Sequence, residues 1–225
     1  MNSPSVATSR PPVRGALSLR RATLTMRSEE GFSLLEMAIV VALLMIASTI
    51  ALLMARNVIR TVHLHQTAAN YANLLQQARV RSVQDDAYYS VVTDTSSTPP
   101  RVFIDINQTG FYASPDPELV FTNDVKPMSF SSAPSIDNLK SQFLPSTSTW
   151  TTINTLAEGP TFGPRGLPCS PTSVSGGTCP YLASPTSYMT FMKNVRSQSW
   201  VAVTVSPAGR IRLWSYGNNA WSPLN

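Results

Sequence analysis

The sequence predicts an α+β chain: a long N-terminal helix, membrane-spanning in its first half, packed on a C-terminal antiparallel β-sheet domain. Three observations carry this. Residues 32–55 form an apolar run of 24 residues whose one charge is Glu36. Residues 56–88 turn amphipathic with helical spacing and contain no proline or glycine. From residue 89 onward the pattern changes to short β-like runs separated by Pro, Ser, Thr and Gly.

Composition narrows the function classes. Only 13% of the 225 residues are charged, against roughly 25% for an ordinary soluble domain. That disfavours a compact, highly charged cytosolic domain and a coiled coil. Two cysteines are too few for a site of four thiolates. The net charge of +5 is unevenly spread. Residues 1–30 hold five arginines, residues 85–158 hold nine acids and three bases, and residues 159–225 hold five bases and no acid. Those five are Arg165, Lys193, Arg196, Arg210 and Arg212. They read either as a basic patch or as dilute charges that serve solubility.

The run Phe32–Ala55 is long enough to cross a bilayer as a helix. The arginine-rich leader before it keeps the N-terminal side cytoplasmic, a bias that Arg56 and Arg60 weaken without reversing. A carboxylate inside such a run is costly and needs a partner. Cleavage between Gly31 and Phe32 would create a cationic amine one helical turn from Glu36. In an assembly, Glu36 of one subunit could then neutralise the amine of the next and set register.

The junction Gly31-Phe32-Ser33-Leu34-Leu35-Glu36, the apolar helix after it and the basic leader resemble the prepilin peptidase site of type IV pilins and type II secretion pseudopilins. The resemblance implies that Gly31 ends the leader, Phe32 carries a methylated amine and Glu36 is the assembly residue. It implies a leader over 1–31, an assembly half of the helix over 32–55, an amphipathic half over 56–88 and an extracytoplasmic domain over 89–225. The implied partners are a prepilin peptidase, other pilins or pseudopilins and the inner-membrane assembly machinery. The implied location is the bacterial inner membrane, single-pass, with a periplasmic C-terminal domain. The leader is longer than many in these families, and Met26 would give a six-residue one.

In the amphipathic half, Leu64, Ala68, Tyr71, Leu75 and Ala78 recur at spacings of four and three, one helical face to lie against a sheet. With nothing to break residues 32–86, one helix of about 55 residues, roughly 80 Å long, is expected. His63 and His65 are two apart and do not share a face, so they are not read as metal ligands.

Candidate strands in the domain are 90–93, 101–106, 110–112, 119–122, 161–162, 188–195, 200–205 and 211–216. Residues 123–152 are expected to form a long surface loop with one short helix around Ile136–Phe143. Cys169 and Cys179 flank a segment containing Pro171, Gly176 and Gly177, and a disulfide there would constrain the unfolded chain. A cysteine nucleophile or a Ser-His-Asp triad would need a histidine, and residues 89–225 contain none. No acid, base and nucleophile converge, so the sequence argues against an enzyme and implies no cofactor.

Alternation in the last strands puts Val201, Val203 and Val205 inward, with Trp200 opposite. It puts Arg210, Arg212, Trp214 and Tyr216 on one face and Ile211 and Leu213 on the other. The two arginines could contact phosphates about one nucleotide step apart without reading sequence. The aromatics could stack on unpaired bases or simply cover the arginine stems.

Phe162-Gly163-Pro164-Arg165-Gly166 and Val203–Arg212 resemble the C-terminal part of the FimT/GspH group of minor pilins and pseudopilins. Some FimT-type members bind DNA through Gly-Arg-x-Arg, which Gly209-Arg210-Ile211-Arg212 matches. The resemblance covers residues 29–89 and 160–213. It leaves three expectations: a structural minor pilin or pseudopilin; the same protein binding DNA non-specifically through Gly209, Arg210 and Arg212, with Lys193 and Arg196 assisting; and a membrane-anchored extracytoplasmic interaction protein.

Overall fold

The computed structural model describes residues 31–143, 159–169 and 187–224. Residues 1–30 of the expected leader, residues 144–152 of the expected loop and Cys179 lie outside the described residues. The fold is α+β, with one long N-terminal helix and an antiparallel β domain. Helix α1 spans Leu34–Gln84, 51 residues. Ser33 caps it: its Oγ accepts the Glu36 N–H at 3.1 Å. Ser33-Leu34-Leu35-Glu36 thus has the Ser-x-x-Glu form of a helix start, with an acid in the first turn where the helix dipole favours it.

The chain divides into two compact units, residues 1–46 and 47–225. In the first, every described residue is exposed, from Gly31 to Ile46. In the second, strands β1 (Tyr89–Asp94), β2 (Arg101–Asp105), β3 (Glu118–Val120), β5 (Thr161–Phe162) and β6 (Pro168–Cys169) form a sheet ordered β3-β2-β1-β5-β6. Strands β4 (Val125–Met128), β7 (Tyr188–Asn194), β8 (Trp200–Val205), β9 (Ile211–Gly217) and β10 (Ala220–Pro223) form another, ordered β10-β9-β8-β7-β4. The paired strands are antiparallel.

The main core brings the stripe Leu64, Ala68, Tyr71, Leu75 and Ala78 against side chains of both sheets. Val91, Val102, Ile104 and Phe162 come from one, and Met192, Val201, Val203 and Val205 from the other. Two polar contacts fix the helix on the second sheet. The Tyr71 hydroxyl bonds Thr190 Oγ1 at 3.1 Å, and Asn194 Nδ2 donates to the Arg60 carbonyl at 3.3 Å.

The other face of the second sheet carries a smaller core. Helix α2 (Ile136–Phe143) and a 3-10 turn (Phe130–Ser132) cover Phe191, Ala202, Trp214 and Trp221, with Leu139 at the centre. Helix α2 falls on the expected residues. The expected loop, however, also contains β4, an edge strand paired to β7 through Val125–Met128. Residues 110–112 are not a strand. The Asp105 carboxylate accepts the N–H groups of Thr109 at 3.1 Å and Gly110 at 2.7 Å, which folds this segment into a loop.

Candidate functional site

Two regions bear on function, and each lies within one unit. In the first, Phe32, which would carry the new amine, is 74% exposed. Glu36 is exposed in the first turn of α1, beside Leu34 and Leu35. The arrangement offers a carboxylate at the start of a helix whose first half is apolar on every face. Among the described residues, α1 is the one helix long and apolar enough to cross a membrane.

The second region is the end of β8 and start of β9. Ser206–Gly209 forms a tight turn in which the Gly209 N–H donates to the Ser206 carbonyl at 2.8 Å. The Ser206 N–H donates to the Arg210 carbonyl at 2.9 Å, and Ser206 Oγ accepts the Arg210 N–H at 3.1 Å. Gly209 has φ +75, the left-handed region where a side chain is strained. A Cβ there would lie 2.8 Å from the Gly166 carbonyl oxygen. Gly166 has φ +67 and closes the turn between β5 and β6, its N–H donating to the Gly163 carbonyl at 2.7 Å. The glycines of the two quoted motifs therefore touch backbone to backbone.

A residue that sequence reasoning passed over holds them there. Arg79 of α1 donates from Nε to the Gly166 carbonyl and from Nη1 to the Gly209 carbonyl, each at 3.0 Å. Arg79 is half-buried one residue beyond Ala78, on the packed edge of the helix, a placement that shows only once the helix is packed. A planar guanidinium offers two donors in fixed geometry, which suits two converging carbonyls.

Arg210 is exposed and precedes β9; Arg212 is half-buried within it. Neither side chain has a hydrogen bond or ion pair among the described residues. The strand faces are as the alternation predicts: Ile211 and Leu213 pack on the main core, Trp214 and Tyr216 on the smaller one. The expected basic and aromatic stripe is nonetheless not an open surface. Trp214 is 1% exposed beneath α2, with Nε1 donating to Thr204 Oγ1 at 2.9 Å. It neither stacks outward nor lies open beside the arginines, because α2 supplies a second layer over this face.

Nor do the five C-terminal bases form one patch. Lys193 and Arg196 sit at the β7–β8 turn, the opposite end of β8 from Arg210. Arg196 Nε pairs with Asp124 at 2.6 Å, and Lys193 Nζ lies 5.1 Å from the Trp200 ring centre. Asn194 shapes that turn by accepting the N–H groups of Arg196 and Ser197, both at 3.0 Å. Cys169 is buried in β6, and no cysteine among the described residues is free. His63 is exposed and His65 half-buried. No group of three or more His, Cys, Asp or Glu able to hold a metal occurs among the described residues.

Comparison with protein families finds the prokaryotic N-terminal methylation motif over residues 26–52. Comparison with curated proteins and with solved structures finds no match. The long N-terminal helix, the β domain and this motif together define a type-IV-pilin-like architecture. The motif implies processing by an enzyme of the prepilin-peptidase type.

Proposed function

We propose that this chain is a minor pilin or pseudopilin subunit of the FimT/GspH kind, built into a type IV pilus or type II secretion pseudopilus through its N-terminal helix. The observation that carries this is the bare apolar first half of α1 directly behind the methylation motif. A helix apolar on all faces needs lipid or other helices around it. On this reading residues 1–31 are removed, Phe32 is methylated, and Glu36 pairs with the amine of a neighbouring subunit. Residues 32–55 form the membrane and assembly half, 56–88 the packed half, and 89–225 a periplasmic domain closed by a Cys169–Cys179 disulfide. The role is assembly, with no catalysis and no cofactor. Intact-mass and N-terminal analysis of membrane-extracted protein tests it: the mature chain begins at Phe32. A mature N-terminus beyond residue 45 would indicate ordinary signal-peptide cleavage and end this reading in favour of a different exported protein.

A second reading is that the same subunit also binds DNA non-specifically through Arg210 and Arg212. Two observations favour it: both guanidinium groups lack partners among the described residues, and Gly209 is locked in place beside them. Lys193 and Arg196, at the far end of β8, would contribute only distant contacts. Anisotropy titration of the detergent-solubilised chain with duplex DNA should show weak binding, about micromolar, that falls steeply with salt. No binding at about 50 mM salt leaves the structural subunit alone.

A further inference from the structure

We propose that the end of the β domain beside Arg60 is a docking face for phospholipid headgroups, built from Arg56 and Arg60 of α1 and from Lys126, Lys193 and Trp200 of the second sheet. This rests on the reading in which the first half of α1 lies in a membrane. It adds which part of the domain meets the lipid and through which chemistry.

The depth follows from the helix. The apolar run ends at Ala55, and Arg56 is the next residue. Arg60 lies one turn further along α1, about 6 Å at 1.5 Å per residue. The headgroup layer on each side of the hydrocarbon is roughly 5–8 Å thick, so the two arginines span it. Neither guanidinium has a hydrogen bond or ion pair among the described residues. Val58, Ile59 and Val62 are exposed around them. Basic and apolar side chains interleaved over two turns suit a boundary that is apolar on one side and ionic on the other.

The domain begins at the same level. Leu64, the first residue of the packed stripe, is fully buried one turn past Arg60. Asn194, at the end of β7, donates to the Arg60 carbonyl at 3.3 Å. The β7–β8 turn is therefore held at the depth of Arg60. There the strand register sets Lys126 opposite Lys193, and Lys193 opposite Trp200. Opposed residues share a face, so the three side chains form a row.

That row has a cost within the chain. Like charges directly opposite each other destabilise a sheet. Lys126 is exposed and has no hydrogen bond or ion pair among the described residues. The acid of this turn, Asp124, is taken by Arg196 at 2.6 Å. A phosphodiester anion lying between the two ammonium groups would relieve the repulsion. Trp200 is half-buried under Lys193, with the amine 5.1 Å from the ring centre. An aromatic ring carrying a lysine suits the headgroup level, where Trp is enriched and the amine reaches the phosphate. Val195, in the same turn, is exposed as well. Nucleic acid fits this face less well, because exposed valines and an isoleucine lie among the bases and Arg56 adjoins the span directly.

The test reconstitutes the full chain, one copy per disc, into nanodiscs of phosphatidylcholine with or without phosphatidylglycerol. The acylation rate of each lysine amine is read by peptide mass spectrometry. Lys126 and Lys193 should acylate several-fold more slowly in the anionic discs at low salt, and the gap should close as salt rises. Arg56→Gln combined with Arg60→Gln should narrow the gap, and a gap left unchanged by that pair overturns the face as drawn. The wild-type comparison needs no substitution and stands even where a variant fails to fold. A chain that enters neither disc overturns the membrane reading and this inference together. A chain that enters both, with equal rates, overturns the inference alone. Protection that requires a second copy in the disc, or added duplex DNA, and not the anionic lipid, assigns the face to a protein neighbour or to nucleic acid and overturns it too.

Discussion

From Leu34 to Val62, the large apolar side chains of α1 described here are exposed, Leu34 at 89% and Met45 at 67% among them. Two residues later the same helix reverses its behaviour: Leu64, Ala68, Tyr71, Leu75 and Ala78 are all 1% exposed or less. Backbone hydrogen bonding is the same in both stretches, so the difference lies in side-chain pattern alone. The first stretch is apolar all round and has no face to turn toward a sheet. The second confines its apolar residues to one stripe, which the two sheets cover. Burying one large aliphatic side chain is worth about 1.5–3 kcal/mol, so the second stretch holds the domain together. Among the described residues nothing covers the first, and a membrane or neighbouring helices would supply that energy.

The strongest way to sharpen this contrast is at Glu36, the acid within the bare stretch. Glu36→Ala should leave insertion and processing intact but nearly abolish incorporation into sheared filaments, because a neighbour's amine would be left unpaired among apolar groups. An uncompensated buried charge costs about 3–5 kcal/mol. Quantitative immunoblotting of filament and membrane fractions measures it, and wild-type incorporation would contradict the proposed pairing.

A paired substitution separates the two stretches directly. Tyr71 is 1% exposed in the core, whereas Ile50 is 52% exposed. Tyr71→Ala should lower the unfolding free energy of the detergent-solubilised chain by about 3–5 kcal/mol, the usual cost of emptying a large buried aromatic. Ile50→Ala should change it by less than about 0.5 kcal/mol, while reducing filament incorporation. Equal losses in denaturant titrations would mean that the two stretches are packed alike.

Legibility in the sequence follows the same division. The helical stripe, the faces of β8 and β9 and the position of α2 were readable because each rests on periodicity against one core. The strand Val125–Met128 was not, because Pro127 and Lys126 disguise it and it gains its place only as an edge on β7. Gly110–Tyr112 looked like a strand, but the Asp105 carboxylate offers its backbone a local alternative. At the basic turn, the motif residues were visible and their support was not. Arg79 reaches Gly209 across 130 positions of sequence, and no local pattern encodes such a contact. Trp214 looked like a surface aromatic because the layer that buries it, α2, lies far back in the chain.

A smaller effect than the loss of Tyr71 is expected at the end of the packed stretch, where α1 gives way to β1. The Tyr89 hydroxyl donates to Asp85 Oδ2 at 2.8 Å. That bond to a carboxylate raises the tyrosine pKa above its ordinary value, with burial and the negative charge of Asp85 adding to it and Arg81 opposing. A pKa raised on folding means that the neutral phenol is favoured in the folded state. The contribution is therefore fully present below the unfolded value, about pH 10, and is lost as pH rises through the higher folded value. A hydrogen bond of this kind is worth about 1 kcal/mol. Urea midpoints of wild type and Tyr89→Phe should accordingly differ at pH 8 and converge toward pH 11, since lysine titration is common to both proteins. A gap that stays constant, or widens, with rising pH would show that Asp85 does not hold this hydroxyl, and that the packed stretch ends without the anchor assigned to it.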